Sequence, residues 1–358
     1  MLGPNKGVQS FATLAEILSQ PEIWRQCLSE LESSGAIREI LDEAKSRTEW
    51  TFIGCGSSFY LAEAAAASWT MMTGQRARAV PASEILLFPG MSVRAAENAQ
   101  AVVISRSGRT SEAVKAAQVL SQEHRLPTLG VTCAADSQLE EACDRTIRLL
   151  AADEKSMVMT RSFSSMLLAL QVLAGEKSGK TEIASSLGRL ADHFAGRVRA
   201  LSAQVEEFVS EHSFADYVFL GQGPFHSLAR EASLKITEMS CSYSQAFHTL
   251  EFRHGPKAVV NPATCLTFFL SEAGLQAESE VRAEMHHLGG LTIAICNRAN
   301  DAIRRSSDFI FELGFDGPEL ATLAPFIVPG QLLALFTGVK KNLNPDEPKN
   351  LSRVVILD

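Results

Sequence analysis

Apolar residues recur at near-helical intervals through the first fifty positions, at Trp24, Leu28, Leu31, Ile37, Ile40 and Leu41, behind the capping-box spacing Ser19-Gln20-Pro21-Glu22. Residues 1–49 therefore read as an N-terminal helical arm. From Trp50 the pattern changes to short apolar runs separated by segments of helical period. Residues 51–53, 101–105, 127–133 and 146–150 read as buried strands, with 59–72, 110–122 and 136–143 as the helices between them. After a polar, helix-forming stretch at 177–212 the same order returns: strand 217–221, helix 225–239, strand 264–270, helix 276–288, strand 291–296. Phe52-Ile53-Gly54-Cys55-Gly56 answers to Phe219-Leu220-Gly221-Gln222-Gly223, and Val131-Thr132-Cys133 with the run from Asp144 answers to Ala294-Ile295-Cys296 with the run from Asp308. An offset of roughly 165 residues is too long for a solenoid and right for a doubled domain.

The expected fold class is α/β, two tandem copies of a mainly parallel sheet flanked by helices on both faces. The expected boundaries are 50–176 for the first domain, 177–212 for a helical linker and 213–358 for the second domain. An apolar helix at 325–335 leads into a Pro-rich, charged tail, which an apolar strand at 354–357 closes, so Lys349 and Arg353 are expected to be held in place over the site.

Length, 358 residues with 46% hydrophobic content, allows two ordinary cores. A net charge of −8 leaves no basic stripe for a nucleic-acid backbone, so any phosphate must be gripped locally by N–H groups, hydroxyls and helix N-termini. The seven cysteines are dispersed and never in a C-x-x-C pair, and read as reduced core thiols. Cys55 sits in a Gly-rich turn without the basic neighbours that make a thiolate. No apolar run is seen to approach the roughly 18 residues that span a bilayer, and the N-terminus lacks a basic segment before an apolar core, so a cytoplasmic protein with no membrane partner is expected. No metal or cofactor is expected.

Four constellations remain as candidate chemistry. Gly54-Cys55-Gly56-Ser57-Ser58 joins a strand to a helix, as an anion-binding turn or a plain Gly turn with a Ser cap. Ser105-Arg106-Ser107-Gly108-Arg109-Thr110 does the same with five hydrogen-bonding side chains around one glycine, more than a helix cap requires. Strand ends of a parallel sheet face one crevice, so both loops can meet one phosphate. Glu231, Lys235 and Glu238 share a face of one helix at i, i+4 and i+7, which by itself is the spacing of an exposed ion-pair ladder. His254 precedes Gly255-Pro256, a position poorly explained as core or as solvated surface, and a carboxylate with a histidine is common equipment for moving protons near neutral pH.

Together these motifs, with Leu351-Ser352-Arg353 in the tail, resemble the tandem SIS-domain proteins, the family of the isomerase half of glucosamine-6-phosphate synthase, over nearly all of residues 50–358. Phe252-Arg253-His254-Gly255-Pro256-Lys257 and Ser352-Arg353-Val354-Val355 look most like the galactosamine-6-phosphate deaminase and tagatose-6-phosphate ketose/aldose isomerase branch. The resemblance implies a sugar phosphate bound between the two domains. Ser58, Ser105, Ser107 and Thr110 with the backbone of Arg106 would hold the phosphate and Ser57 the sugar. It implies Glu238 as the C1–C2 proton shuttle and His254 as the ring-opening group supplied by a neighbouring subunit, hence a homodimer. Lys235, Glu231, Glu154 and Ser352 match positions lining the same cleft. Arg353 stands where the synthase has its imine-forming lysine, and a guanidinium cannot be that nucleophile. Arg353 or Lys235 would instead stabilise an enediol-like oxygen. With the chain beginning Met1-Leu2-Gly3, no glutaminase domain is expected. The function expected is an aldose–ketose isomerase or isomerising deaminase of a hexose or hexosamine 6-phosphate. The alternatives are a deglycase of sugar 6-phosphates joined to amino acids and a non-catalytic phosphosugar-binding regulator.

Overall fold

The computed structural model describes residues 11–93, 97–180 and 182–357; the first ten residues of the expected arm and Thr181 of the expected linker lie outside them. The chain divides into two compact units. The first comprises residues 20–154, 161–191 and 352–357, and the second 11–19, 155–160 and 192–351.

In chain order the elements are α1 Ala12–Leu18, α2 Gln20–Ser34, α3 Ala36–Glu43, β1 Glu49–Gly54, α4 Ser57–Thr73, β2 Arg76–Pro81, α5 Ala82–Leu87, α6 Pro89–Ser92, β3 Ala99–Ile104, α7 Ser111–Gln118, β4 Thr128–Thr132, α8 Gln138–Ala142, β5 Arg145–Arg148 and α9 Arg161–Ser178. There follow α10 Glu182–Ala195, α11 Val198–Glu211, β6 Asp216–Gly221, α12 Pro224–Ser240, β7 Ser244–His248, β8 Thr264–Phe269, α13 Leu275–His287, β9 Leu291–Cys296, α14 Asp301–Arg305, β10 Phe309–Glu312 and α15 Leu323–Lys340.

Each unit holds a five-stranded parallel sheet, ordered β2-β1-β3-β4-β5 in the first and β7-β6-β8-β9-β10 in the second. The two orders are the same, and the duplication reaches individual hydrogen bonds. Asp144 accepts from the Thr128 N–H at 2.8 Å and hydroxyl at 3.0 Å, and Asp308 accepts from the Thr292 N–H at 2.7 Å and hydroxyl at 3.0 Å. Gly54 and Gly221 match as well. A Cβ on either would lie 2.4 Å from a carbonyl of the following helix, Ser58 or Phe225, so only glycine lets α4 and α12 start so close to the strands before them.

The central strands β3 and β8 are buried throughout, as their unbroken apolar runs require. β2 and β7 escape the apolar-run criterion because they are edge strands with half-exposed, polar sequences. α9 and α15 are buried on almost every side, which erases helical amphipathicity.

Several expectations are corrected. The Ser19 hydroxyl donates back to the Glu16 carbonyl at 2.9 Å and its backbone ends α1. The stretch 177–212, expected as a helical linker, holds α10 and α11, which bury Ile183, Leu187, Leu190, Phe194, Leu201 and Phe208, and the division between the two units falls within it. Residues 354–357 pair with no strand. They lie beside α7, where the Ser111 N–H donates to the Val355 carbonyl at 3.2 Å and the Leu357 N–H to the Ser111 hydroxyl at 3.0 Å. Residues 352–357 therefore belong to the first unit and not to the second domain. One helical run, Glu319–Lys340, is long and apolar enough to cross a membrane, contrary to expectation; its apolar window is fully buried within the protein, so its hydropathy is that of a core helix.

Candidate functional site

In the first unit the strand order reverses between β1 and β3, and the loops that follow these strands carry the two serine-rich motifs. In open parallel sheets that switch point is where ligands bind. After β1, Gly56 takes φ 54° and α4 begins at once, with Ser57 and Ser58 buried in its first turn. After β3, Gly108 takes φ 60°, and a Cβ there would lie 2.3 Å from the Ser137 hydroxyl, so the loop is pressed onto the start of α8. Thr110 occupies the N-cap position of α7 without its side chain bonding the helix, and instead takes a 3.3 Å hydrogen bond from the Ser105 hydroxyl. A threonine released from capping leaves hydroxyls and N–H groups grouped at a helix N-terminus, which suits an anion.

The Arg106 side chain is directed into the protein. Its guanidinium pairs at 3.3 Å with the fully buried Glu154, which also accepts from the Ser162 N–H at 3.3 Å and from the Ser162 hydroxyl. Arg106 donates as well to the Arg353 carbonyl at 3.2 Å, so the arginine of the β3 loop ties residues near the chain terminus to that loop. Glu154 is thereby the counter-ion of Arg106. Arg353 itself pairs with Asp153 at 2.7 Å, both half exposed, and Ser352 is exposed with its hydroxyl donating to the Val354 carbonyl. Burial pushes the Cys55 thiol up to about 12, so it is no nucleophile at neutral pH.

In the second unit α12 is packed against α15, and its Glu231-Lys235-Glu238 face is turned inward. Lys235 and Glu231 have no exposed side-chain surface and Glu238 keeps 17%. The ladder of solvated charges is therefore excluded: the Lys235 ammonium lies 3.3 Å from Glu231 and donates directly to Glu238. Burial alone would lower the Lys235 pKa, but the two carboxylates outweigh it and raise it, so the side chain stays an ammonium and can be neither base nor nucleophile. It holds Glu238, the one side chain of the three that reaches solvent.

His254 lies exposed in the turn after β7, its N–H bonded to the Glu251 carbonyl at 2.9 Å. The turn is fixed from both sides, because Arg253 and Lys257 each pair with Glu284 of α13 at 2.7 Å. Sequence reasoning missed the ring stack of His226 on His248 at 3.8 Å, whose members lie far apart along the chain; burial and the neighbouring imidazole push His226 down to about 4. Among the described residues no cluster of His, Cys, Asp and Glu is arranged to hold a metal.

Residues 44–175 match the SIS domain profile. A Streptomyces coelicolor protein named for D-galactosamine-6-phosphate deamination is 29% identical over 362 residues, covering 94% of this chain and 91% of that protein. A glutamine–fructose-6-phosphate aminotransferase of Methanothermobacter thermautotrophicus is 24% identical over 99% of this chain, which spans only 58% of that longer relative. The crystal structure of glucosamine-6-phosphate deaminase from Thermotoga maritima matches with a TM-score of 0.78 and 28% identity over 97% of this chain and 100% of that one. That of tagatose-6-phosphate ketose/aldose isomerase from Escherichia coli matches with a TM-score of 0.85 and 22% identity over 96% and 98%, a likeness of fold.

Proposed function

We propose that the chain, which carries a SIS domain over residues 44–175 and is similar along its length to proteins named as phosphosugar isomerases and deaminases, isomerises a hexosamine or hexose 6-phosphate and, where C2 bears an amine, releases ammonia. The observation that carries this reading is Glu238, a carboxylate that reaches solvent while a buried ammonium fixes its position. A proton shuttle needs such a group, movable proton on one side and rigid support on the other. A phosphate grip is the other requirement, and the hydroxyls of Ser58, Ser105, Ser107 and Thr110 at two helix N-termini would supply one, with Ser57 beside them for the sugar.

His254 opens the pyranose to the aldehyde. Glu238 removes the proton from C2, the electron pair moves toward the carbonyl to give an enediol or enolamine, and Glu238 returns the proton at C1. With oxygen at C2 the product is the ketose phosphate. With nitrogen at C2 it is a ketimine, which takes up one water and releases ammonia and the same ketose. Lys235 acts as a positioning residue, because its ammonium is enclosed between carboxylates, and Arg353, paired with Asp153, closes the tail and does not capture the carbonyl. Incubation with glucosamine, galactosamine and fructosyl-amino-acid 6-phosphates, scored for ammonia, amino acid and ketose, tests the reading. Ammonia with ketose from a hexosamine 6-phosphate supports it, free amino acid makes the chain a deglycase, and binding without turnover of any of them makes it a regulator.

The reading includes a homodimer in which His254 serves the partner's site, since its ring is exposed on a turn braced by two ion pairs. Mixing inactive Glu238→Gln and His254→Asn proteins is then expected to restore roughly a quarter of wild-type turnover on random subunit exchange in a two-fold dimer. No recovery after demonstrated exchange would place His254 in its own subunit's site.

A further inference from the structure

The two sheets superpose residue for residue through their ladders. The Ser105 N–H bonds to the Val131 carbonyl at 3.0 Å, and the Leu270 N–H bonds to the Ile295 carbonyl at 2.9 Å. With β3 and β8 in the same register against β1 and β6, Leu270 answers to Ser105, Ser271 to Arg106, Glu272 to Ser107 and Leu275 to Thr110. The hydroxyls of the first loop are thus replaced by two leucines and a glutamate at the switch point of the second sheet.

The backbone of that second loop still points its donors at anions, and the anions belong to the chain. The Ser271 N–H donates to Glu278 at 3.3 Å, with the Ser271 hydroxyl donating to the same carboxyl. The Glu272 N–H donates to Glu319, which also accepts from the Ala273 N–H. A Cβ at Gly274 would lie 2.2 Å from the Glu278 carboxyl, so the loop is folded tightly over it. Asn297 completes the cluster from the end of β9, donating to the Glu272 carboxylate and to the Phe315 carbonyl, both at 3.0 Å. Burial pushes Glu278 up to about 7 and Glu319 above its ordinary value, and each carboxyl is raised further by an acidic neighbour. Two acids crowded against one loop at such a cost are explained by the donors they satisfy. Beside the loop lies a cavity of about 400 Å³ lined by Ser271, Glu272, Asn297 and Phe315, a volume of the order of small-ligand sites.

We propose that the loop after β8 is a second phosphate nest closed from within, its N–H groups occupied by the carboxylates of Glu319 and Glu278, so that the chain binds one sugar phosphate although it carries two copies of the fold. The proposal rests on the reading of the β3 loop as the working phosphate site. Glu319 is the removable plug: it stands at the first position of a short 3₁₀ turn, Glu319–Thr322, whereas Glu278 is fully buried in α13.

Calorimetric titration of the full chain with inorganic phosphate and with fructose 6-phosphate tests it. Wild type is expected to bind one anion per chain and Glu319→Ala two, the added one surviving when Ser105→Ala, Ser107→Ala and Thr110→Val are introduced together. Glu319→Gln keeps an acceptor for the Glu272 N–H and so guards the fold; without the charge it is expected to admit the second phosphate more weakly. Folded Glu319 variants with unchanged melting and still one site per chain overturn the proposal, as does a wild type that already binds two. A wild type with no anion at the β3 loop, beside a Glu319→Ala protein that gains one, overturns the reading of that loop and leaves the closed nest standing. If Glu319→Ala fails to fold, the Glu319→Gln titration decides alone.

Discussion

Replacement of Glu238 by glutamine is expected to lower turnover by about 10² to 10⁴ while leaving sugar phosphate affinity within a few-fold of wild type. The amide occupies the same volume and its oxygen still accepts from the Lys235 ammonium, which Glu231 continues to compensate, so what is removed is the carboxylate charge and with it the capacity to take and return a proton. The phosphate grip belongs to other loops and is untouched. Ketose and ammonia release measure the first quantity, and titration with fructose 6-phosphate the second. Loss of both together would mean that Glu238 binds the sugar, and retention of full turnover would assign the proton transfer to another group. Because the carboxylate is braced at one end only, Glu238→Asp is expected to fall between the two, its shorter arm withdrawn toward Lys235.

The α/β class and its doubling were legible because parallel sheets buried on both faces write themselves as uninterrupted apolar runs, as at β3 and β8. The edge strands β2 and β7 were not, since Arg76-Ala77-Arg78-Ala79 and Ser244-Gln245-Ala246-Phe247 lack such runs and are strands by virtue of their pairing with β1 and β6. α9 was passed over and α15 read too short for the opposite reason: helices enclosed on all sides carry no polar stripe to set their period. At the site, the spacing of Glu231, Lys235 and Glu238 is the same for a solvated ladder and for a buried array. What separates them is the packing of α12 against α15, a contact between segments about a hundred residues apart. Arg106 shows the converse limit. The expected phosphate contact was its backbone, and the loop sequence gives no sign of where its side chain goes, to Glu154 and to the Arg353 carbonyl, partners that lie distant in sequence and close in space. The closed nest was illegible altogether, because nothing in the sequence ties Glu278 and Glu319 to the loop after β8 until that loop is folded around them.

The largest effect on the fold is expected at Lys235. Lys235→Met keeps the length and apolar stem of the side chain but removes the charge that two carboxylates share, one of them with no exposed surface. Breaking a buried ion pair from one side typically costs about 3–5 kcal/mol, since the remaining charge keeps its desolvation penalty and loses its compensation. Urea unfolding read by linear extrapolation measures this cost. The companion Glu231→Gln/Lys235→Met protein is expected to regain a large part of it, because with both charges gone little is left buried and unpaired. Turnover should not return with stability. In the double variant Glu238 still lacks the ammonium that orients it, so kcat stays depressed in a protein that is folded and binds phosphate. A Lys235→Met cost below about 1 kcal/mol would be that of a surface pair and would place the array in water. Recovery of kcat along with stability would show that Lys235 serves the fold and not the position of Glu238.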